Sequence, residues 1–165
     1  MDQFVKYVRA PRNMAACHVR SAVVLECHCR SLPATNADEA ELKVGMRISA
    51  ILLRAFATEL TLKALHYCLN SQIPKNGHSL CALFDQLGNS AVQQRIENRY
   101  RPTADGRPFR DSLEGISNAF VDWRYVHEKL GPKAQLSLDV DEAVAVLAAI
   151  SFELDVQIKQ HADVP

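Results

Sequence analysis

The chain has 165 residues, 48% of them apolar and 23% charged, with 19 Lys and Arg against 19 Asp and Glu, the profile of one ordinary soluble domain. A domain of this length buries enough surface to fold without disulfide or metal staples. The five cysteines, odd in number and irregularly placed at 17, 27, 29, 68 and 81, fit reduced thiols in a cytoplasm better than a disulfide framework.

No targeting or membrane segment is expected. The first residues already carry Asp2, Lys6 and Arg9, and the longest wholly apolar run, Ala143 to Ile150, is far short of the roughly 18 residues a span needs. The neutral total hides an uneven distribution: residues 1–37 sum to +3 (five cations, two carboxylates) and residues 136–165 to −5 (six carboxylates, one cation). Between them, Arg95, Arg99, Arg101, Arg107 and Arg110 against Glu97 and Asp105 give a further +3. That stretch is a candidate RNA or phosphate site, or simply a solvated loop.

Nearly every long segment has helical period and none alternates like a strand, which predicts an all-α fold. The first helix is expected to start after Pro11 and to run to about Arg30, because proline is tolerated near a helix start and Pro33 marks the exit. A second runs from about Asp38 to Asn70 on the stripe Val44, Ile48, Ile51/Leu52, Ala55, Leu62, Leu65 and Leu69, with Gly45 weakening its start. The turn Ser71 to Gly77 breaks the pattern before short helices at about Ser79–Leu87 and Ser90–Tyr100. After the loop of Pro102, Gly106 and Pro108, a further helix carries Ile116, Phe120, Trp123, Val126 and Leu130 inward and closes at Gly131-Pro132. The last helix is expected from Asp139, as N-cap with Glu142 in a capping-box position, to about Lys159. Its apolar middle, 143–150, places it centrally in the bundle or in a dimer interface.

Cys17-His18 and Cys27-His28-Cys29 have the residue types zinc prefers. On a helix, however, residues 17 and 28 lie about 16 Å apart and residues 27 and 29 point roughly 200° apart. They therefore read as small packed cysteines, and no metal or cofactor is expected. Phosphate loops, nucleophile elbows and metalloprotease helices are absent from the sequence. On the Trp123 helix, Arg124 neighbours His127 at i, i+3 and Glu128 at i, i+4. A cation beside an imidazole is a set that can cleave RNA, with His127 as acid or base and Arg124 stabilising phosphate charge. The same residues also read as an Arg124–Glu128 ion pair beside a boundary histidine.

Three segments together point further. They are Phe56 to Leu65 with its Glu59-Leu-Thr-Leu-Lys63 core, then Gly77-His78-Ser79-Leu80, then Phe120-x-x-Trp123-Arg124-Tyr125-x-x-Glu128. In this order, over about 44–130, they resemble the HEPN superfamily of small helical bundles, in particular a bacterial branch with a Trp-Arg-Tyr helix. The resemblance implies an antiparallel helical bundle with short extra helices, formed as one domain over 1–165. It also implies a homodimer with a groove between protomers, and Glu59, Lys63, His78, Trp123, Tyr125 and Glu128 as its signature positions. His78 is expected to be a turn or cap residue that anchors the following helix, and not an acid or base.

Many HEPN members are metal-independent ribonucleases of toxin–antitoxin, abortive-infection and CRISPR systems, and others only bind. The nuclease motif there is Arg-x4-6-His on a late helix. Here Arg124 and His127 are separated by only two residues, and the one in-pattern match, Arg12-Asn13 to His18, sits on the first helix. The function these features imply is a dimeric binding or regulatory module of a bacterial defence or toxin–antitoxin system, its nuclease motif degenerate. RNA, a nucleotide, or an antitoxin or defence protein would be its partner. The alternatives are a ribonuclease acting across the dimer groove, through Arg124 and His127 or through Arg12 and His18, and a purely structural partner-binding bundle.

Overall fold

The computed structural model describes residues 2–75, 77–103, 106–124 and 140–162, with the side chains of 119–124 and 162 outside that description. Every regular element among the described residues is helical, as the periodicity predicts. The elements are α1 (Ala10–Ser31), α2 (Ala37–Asn70), α3 (Leu80–Asp85), α4 (Ser90–Arg99), α5 (Phe109–Arg124) and α6 (Val140–Ala162). The predicted continuation of the Trp123 helix to Leu130, its closure at Gly131, and the Asp139 cap lie outside the described residues.

The first α-helix begins beside Pro11, as expected, but it is not the beginning of the helical path. A π-helical turn, Val5–Arg9, runs without a break into α1, and the Ala10 N–H donates to the Val5 carbonyl five residues back. Proline lacks an N–H and its ring crowds the carbonyl four residues earlier, so a loosened turn just before it accommodates the ring without ending the helix. Tertiary packing holds this extension down: Val8 is fully buried, and the Tyr7 ring stacks on Tyr67 of α2 at 4.9 Å.

α1 and α2 form a long antiparallel hairpin. Near its closed end the Cys29 thiol reaches the Lys43 carbonyl, and at its open end lies the Tyr7–Tyr67 stack. The start of α2 is fixed by a reciprocal cap. Asn36 Oδ1 accepts from the Glu39 N–H at 2.9 Å, and Glu39 accepts from the N–H and hydroxyl of Thr35 at 2.7 and 2.8 Å. Those bonds, led by the Thr35 backbone donor, lower the Glu39 pKa. With this cap in place Gly45 does not interrupt α2, which runs unbroken until Ser71 takes a left-handed conformation (φ 53°) and donates its N–H back to Tyr67. Val44, placed on the inner stripe by periodicity, is exposed instead.

The core gathers where α2 meets α3, α5 and α6, around fully buried Leu62, Leu65, Leu83, Phe84, Ile96, Leu113, Ile116, Ile150 and Leu154. The Phe109 ring packs against both Phe84 (5.0 Å) and Tyr100 (5.6 Å). Side-chain caps start the two short helices: Ser79 accepts from Ala82 and Asn89 from Val92. α6 buries Ala143, Val146, Ala149 and Ile150 but leaves Val144 (41% exposed) and Ala148 open. The helix read as covered all round therefore has one uncovered apolar strip, and that strip forms part of the site described next.

Candidate functional site

α1 and α6 both pack on α2, yet they do not close on one another. The space between them is a groove of about 670 Å³. Its α1 wall is Ala16, Val19 and Val23; its α6 wall is Val144, Leu147, Ala148 and Ser151; Arg54 and Thr61 of α2 contribute to the lining between them. The two walls run antiparallel. At one end Arg12 of α1 bridges to Asp155 of α6, with Nη2 at 2.9 Å and Nε donating at 3.0 Å.

Arg54 is the residue of this lining that sequence reasoning missed. It is one of the few charges almost wholly inside, its side chain 4% exposed, and it forms a two-pronged ion pair with Glu26 of α1, whose side chain is 12% exposed. Arg54 Nη2 donates to Glu26 Oε2 at 2.9 Å, and Nη1 donates to Oε1. A fork-to-fork pair of this kind fixes the rotation of α1 on α2 as well as neutralising both charges. The available signal was a lone arginine set in the apolar run Ile51-Leu52-Leu53-Arg54-Ala55, since charges enter such surroundings only with a partner.

Toward the closed end of the hairpin a second hollow of about 480 Å³ lies between the same two helices and α2. Its charged lining is Arg30, Lys43, Arg47, Glu26 and Asp141. Along α1 and its surroundings the two hollows together present six cations against three carboxylates. Arg12, Arg20 and Arg30 of the basic N-terminal region line these hollows, and Lys43, Arg47 and Arg54 of α2 supply the other three cations.

The only Arg–His pair in the family spacing is split. Arg12 turns into the groove toward Asp155, whereas His18, six residues on, lies against the Phe56 ring of α2 at 5.8 Å, nearly parallel to it. Six residues turn a helix by about 240°, so the two side chains leave on different faces. The other pair falls elsewhere: Arg124 is the last residue of α5, its side chain outside the described residues, and His127, Tyr125 and Glu128 lie outside them altogether. Trp123 belongs to α5, with its side chain likewise not described.

The arginine-rich stretch is not one loop. Arg95 and Arg99 sit on α4 and Arg110 on α5, and only Arg101 and Arg107 belong to the connection. Arg95 donates to the buried Glu153 carboxylate of α6 at 2.6 and 3.2 Å, bonds that raise its pKa above the ordinary arginine value. Arg99 lies over the Phe152 ring at 3.3 Å. Arg107 stands 3.6 Å from the buried Glu142, which also accepts from Ser112 at 2.6 Å. Arg110 bridges Asp85 and Glu97, the Asp85 bond chiefly raising its pKa. Arg101 bonds the Asn98 carbonyl at 2.9 Å. Each guanidinium thus has an internal partner, and three of them fasten α4 and the following loop to α6.

Glu59, Lys63 and His78 do come together. Buried Glu59 Oε1 takes the Lys63 ammonium one turn on and lies 3.0 Å from His78 Nδ1. The cap of α3 is Ser79, so His78 anchors the turn to α2 instead of capping the next helix, and its side chain stays 77% exposed. Among the cysteines, Cys29 and Cys68 are buried, but Cys17 and Cys27, read as packed, are exposed. Cys17, Cys27 and Cys29 point in different directions from one helix, and no three His, Cys, Asp or Glu among the described residues converge on a point where a metal would bind. No helix among the described residues is long and apolar enough to cross a membrane. Compared with family models, curated proteins and solved structures, the chain finds no match.

Proposed function

We propose that this chain is a HEPN-like, homodimeric helical module that works by binding a partner and not by cleaving RNA. The observation that carries the reading is the division of labour on α1. Arg12 is committed to Asp155 in the groove while His18 packs on Phe56, so the in-spacing pair offers no shared site for a phosphate. The same helix contributes one wall of a groove that is apolar along its sides and cationic at its margins, the composition of a binding surface. A place in a bacterial defence or toxin–antitoxin system rests on the sequence resemblance alone. Exposed Val24, Leu42 and Val44, toward the closed end of the α1–α2 hairpin, supply apolar surface for the second copy.

The test incubates purified protein with labelled single-stranded RNA in the presence of EDTA, beside His127→Ala and His18→Ala. Intact RNA is the expected result. Cleavage that either substitution abolishes makes the protein a ribonuclease and overturns the reading. Sedimentation at micromolar concentration is expected to show a dimer, and a monomer there removes the homodimer from the proposal.

A further inference from the structure

The geometry points to an acidic amphipathic helix of a partner protein as the occupant of the α1–α6 groove, an inference that rests on the binding-module reading above. The length of the site comes first. Along α1 the groove is lined from Arg12 to Val23 and the second hollow from Glu26 to Arg30, eighteen helical steps or about 27 Å in all, and α6 from Val140 to Asp155 runs beside both. Two hollows in line, each bounded by the same two rods and together reaching over four to five helical turns, are a place that a third rod can fill.

The walls say which face of that rod goes in. Small and aliphatic residues dominate both sides: Ala16, Val19 and Val23 follow one another at helical spacing on α1, as Val144, Ala148 and Ser151 do on α6. Ala16, Val23, Val144 and Ala148 are exposed without the occupant. A helix with apolar residues at i, i+4, i+7 and i+11 places them along this strip.

Charge decides the rest. The two hollows carry Arg12, Arg20, Arg30, Lys43, Arg47 and Arg54 against Glu26, Asp141 and Asp155. Arg54 is satisfied by Glu26 and Arg12 by Asp155, which leaves a surplus of cations at the margins, with Arg20 exposed on the α1 rim. Carboxylates flanking the partner's apolar stripe meet that surplus. A second copy docked groove to groove would set the same arginines against themselves. RNA fits less well, because none of the described residues lining either hollow is aromatic, and single strands are held chiefly by stacking bases on such side chains.

The test selects peptides of about eighteen residues from a displayed library biased toward helix, against wild-type protein, with an Arg20→Glu/Ala148→Glu double variant as counter-selection. Arg20 and Ala148 are both exposed, so the variant is expected to keep the wild-type circular dichroism. The expected winners carry apolar residues at i, i+4 and i+7 flanked by Asp and Glu. Their labelled versions should lose about tenfold in affinity on Arg20→Glu alone, measured by anisotropy, and should weaken as salt is raised.

Winners that are basic or lack helical spacing overturn the inference, as does a selection that yields no groove-dependent binder. If a labelled U20 oligonucleotide binds and is lost on Arg20→Glu, the groove belongs to RNA. If Ala148→Glu turns a sedimenting dimer into a monomer, it belongs to the second copy. Either outcome overturns the acidic helix while leaving the binding module standing, whereas histidine-dependent cleavage of RNA refutes the binding module whatever the peptides do.

Discussion

Replacing Arg54 by Met tests whether the ion pair inside the α1–α2 hairpin carries the stability its burial implies. Exposed ion pairs contribute roughly 0 to 1 kcal/mol, but this one is far from exposed, with side chains 4% and 12% accessible and two parallel bonds. Met fills most of the arginine's volume, so the main consequence is a Glu26 carboxylate held in a nearly closed site without its cation. Breaking one side of a buried pair costs about 3 to 5 kcal/mol, a large part of the ~5 to 15 kcal/mol that holds a domain folded. Removing both charges together, as Arg54→Met/Glu26→Leu, should restore most of that loss, because the desolvation of both ions disappears along with their attraction. Urea unfolding followed by circular dichroism reads this directly: the midpoint should fall for the single variant and recover in the double, with the slope unchanged. A single variant within about 1 kcal/mol of wild type, or a double variant no more stable than the single, would refute the reasoning.

Other outcomes follow from the packing. Burial pushes the Cys68 thiol up to about 11, so at pH 8 iodoacetamide should label exposed Cys17 and Cys27 while Cys68 reacts only after unfolding. A folded-state pKa above the unfolded value of 9.0 means that the native state keeps a proton the unfolded chain gives up. The contribution of Cys68 is therefore complete below about pH 9 and is lost as pH rises through about 11. A Cys68→Ala variant should show a shallower fall of the urea midpoint over that range. Asn89→Ala removes the cap on α4, whose Oδ1 accepts from Val92 at 3.1 Å, and should cost about 1 kcal/mol, with Asn89→Ser recovering most of it. Phe84→Ala empties a fully buried site among Phe109 and the leucines of α3 and should cost about 3 to 5 kcal/mol, seen as a lowered urea midpoint.

Much of this protein was legible before any fold was known. Helical period, the breaks at Pro33 and at Ser71 to Gly77, and the short helices near 80 and 90 all follow from spacing and turn residues, because they depend on neighbours within a few positions of the chain. The π turn ahead of Pro11 does not, since it is held by packing of Val8 and by the stack of Tyr7 on Tyr67 of α2, a contact between residues 60 positions apart. Val44 was misplaced for the same reason: periodicity reports that an apolar stripe exists but not how far along it the neighbouring helices reach.

The candidate site divides in a similar way. The sequence itself marked the basic N-terminal region and the apolar middle of the last helix, while Glu59, Lys63 and His78 were expectations of the resemblance. Only the tertiary arrangement decided what each of them faces. It turned Arg12 and His18 to different surroundings, gave the arginines between 95 and 110 internal partners on α3, α4 and α6, and left an uncovered strip on α6 opposite one on α1. A helix's own residues set its faces, by a rotation of about 100° per residue, but which faces meet is set by the packing of the helices against one another.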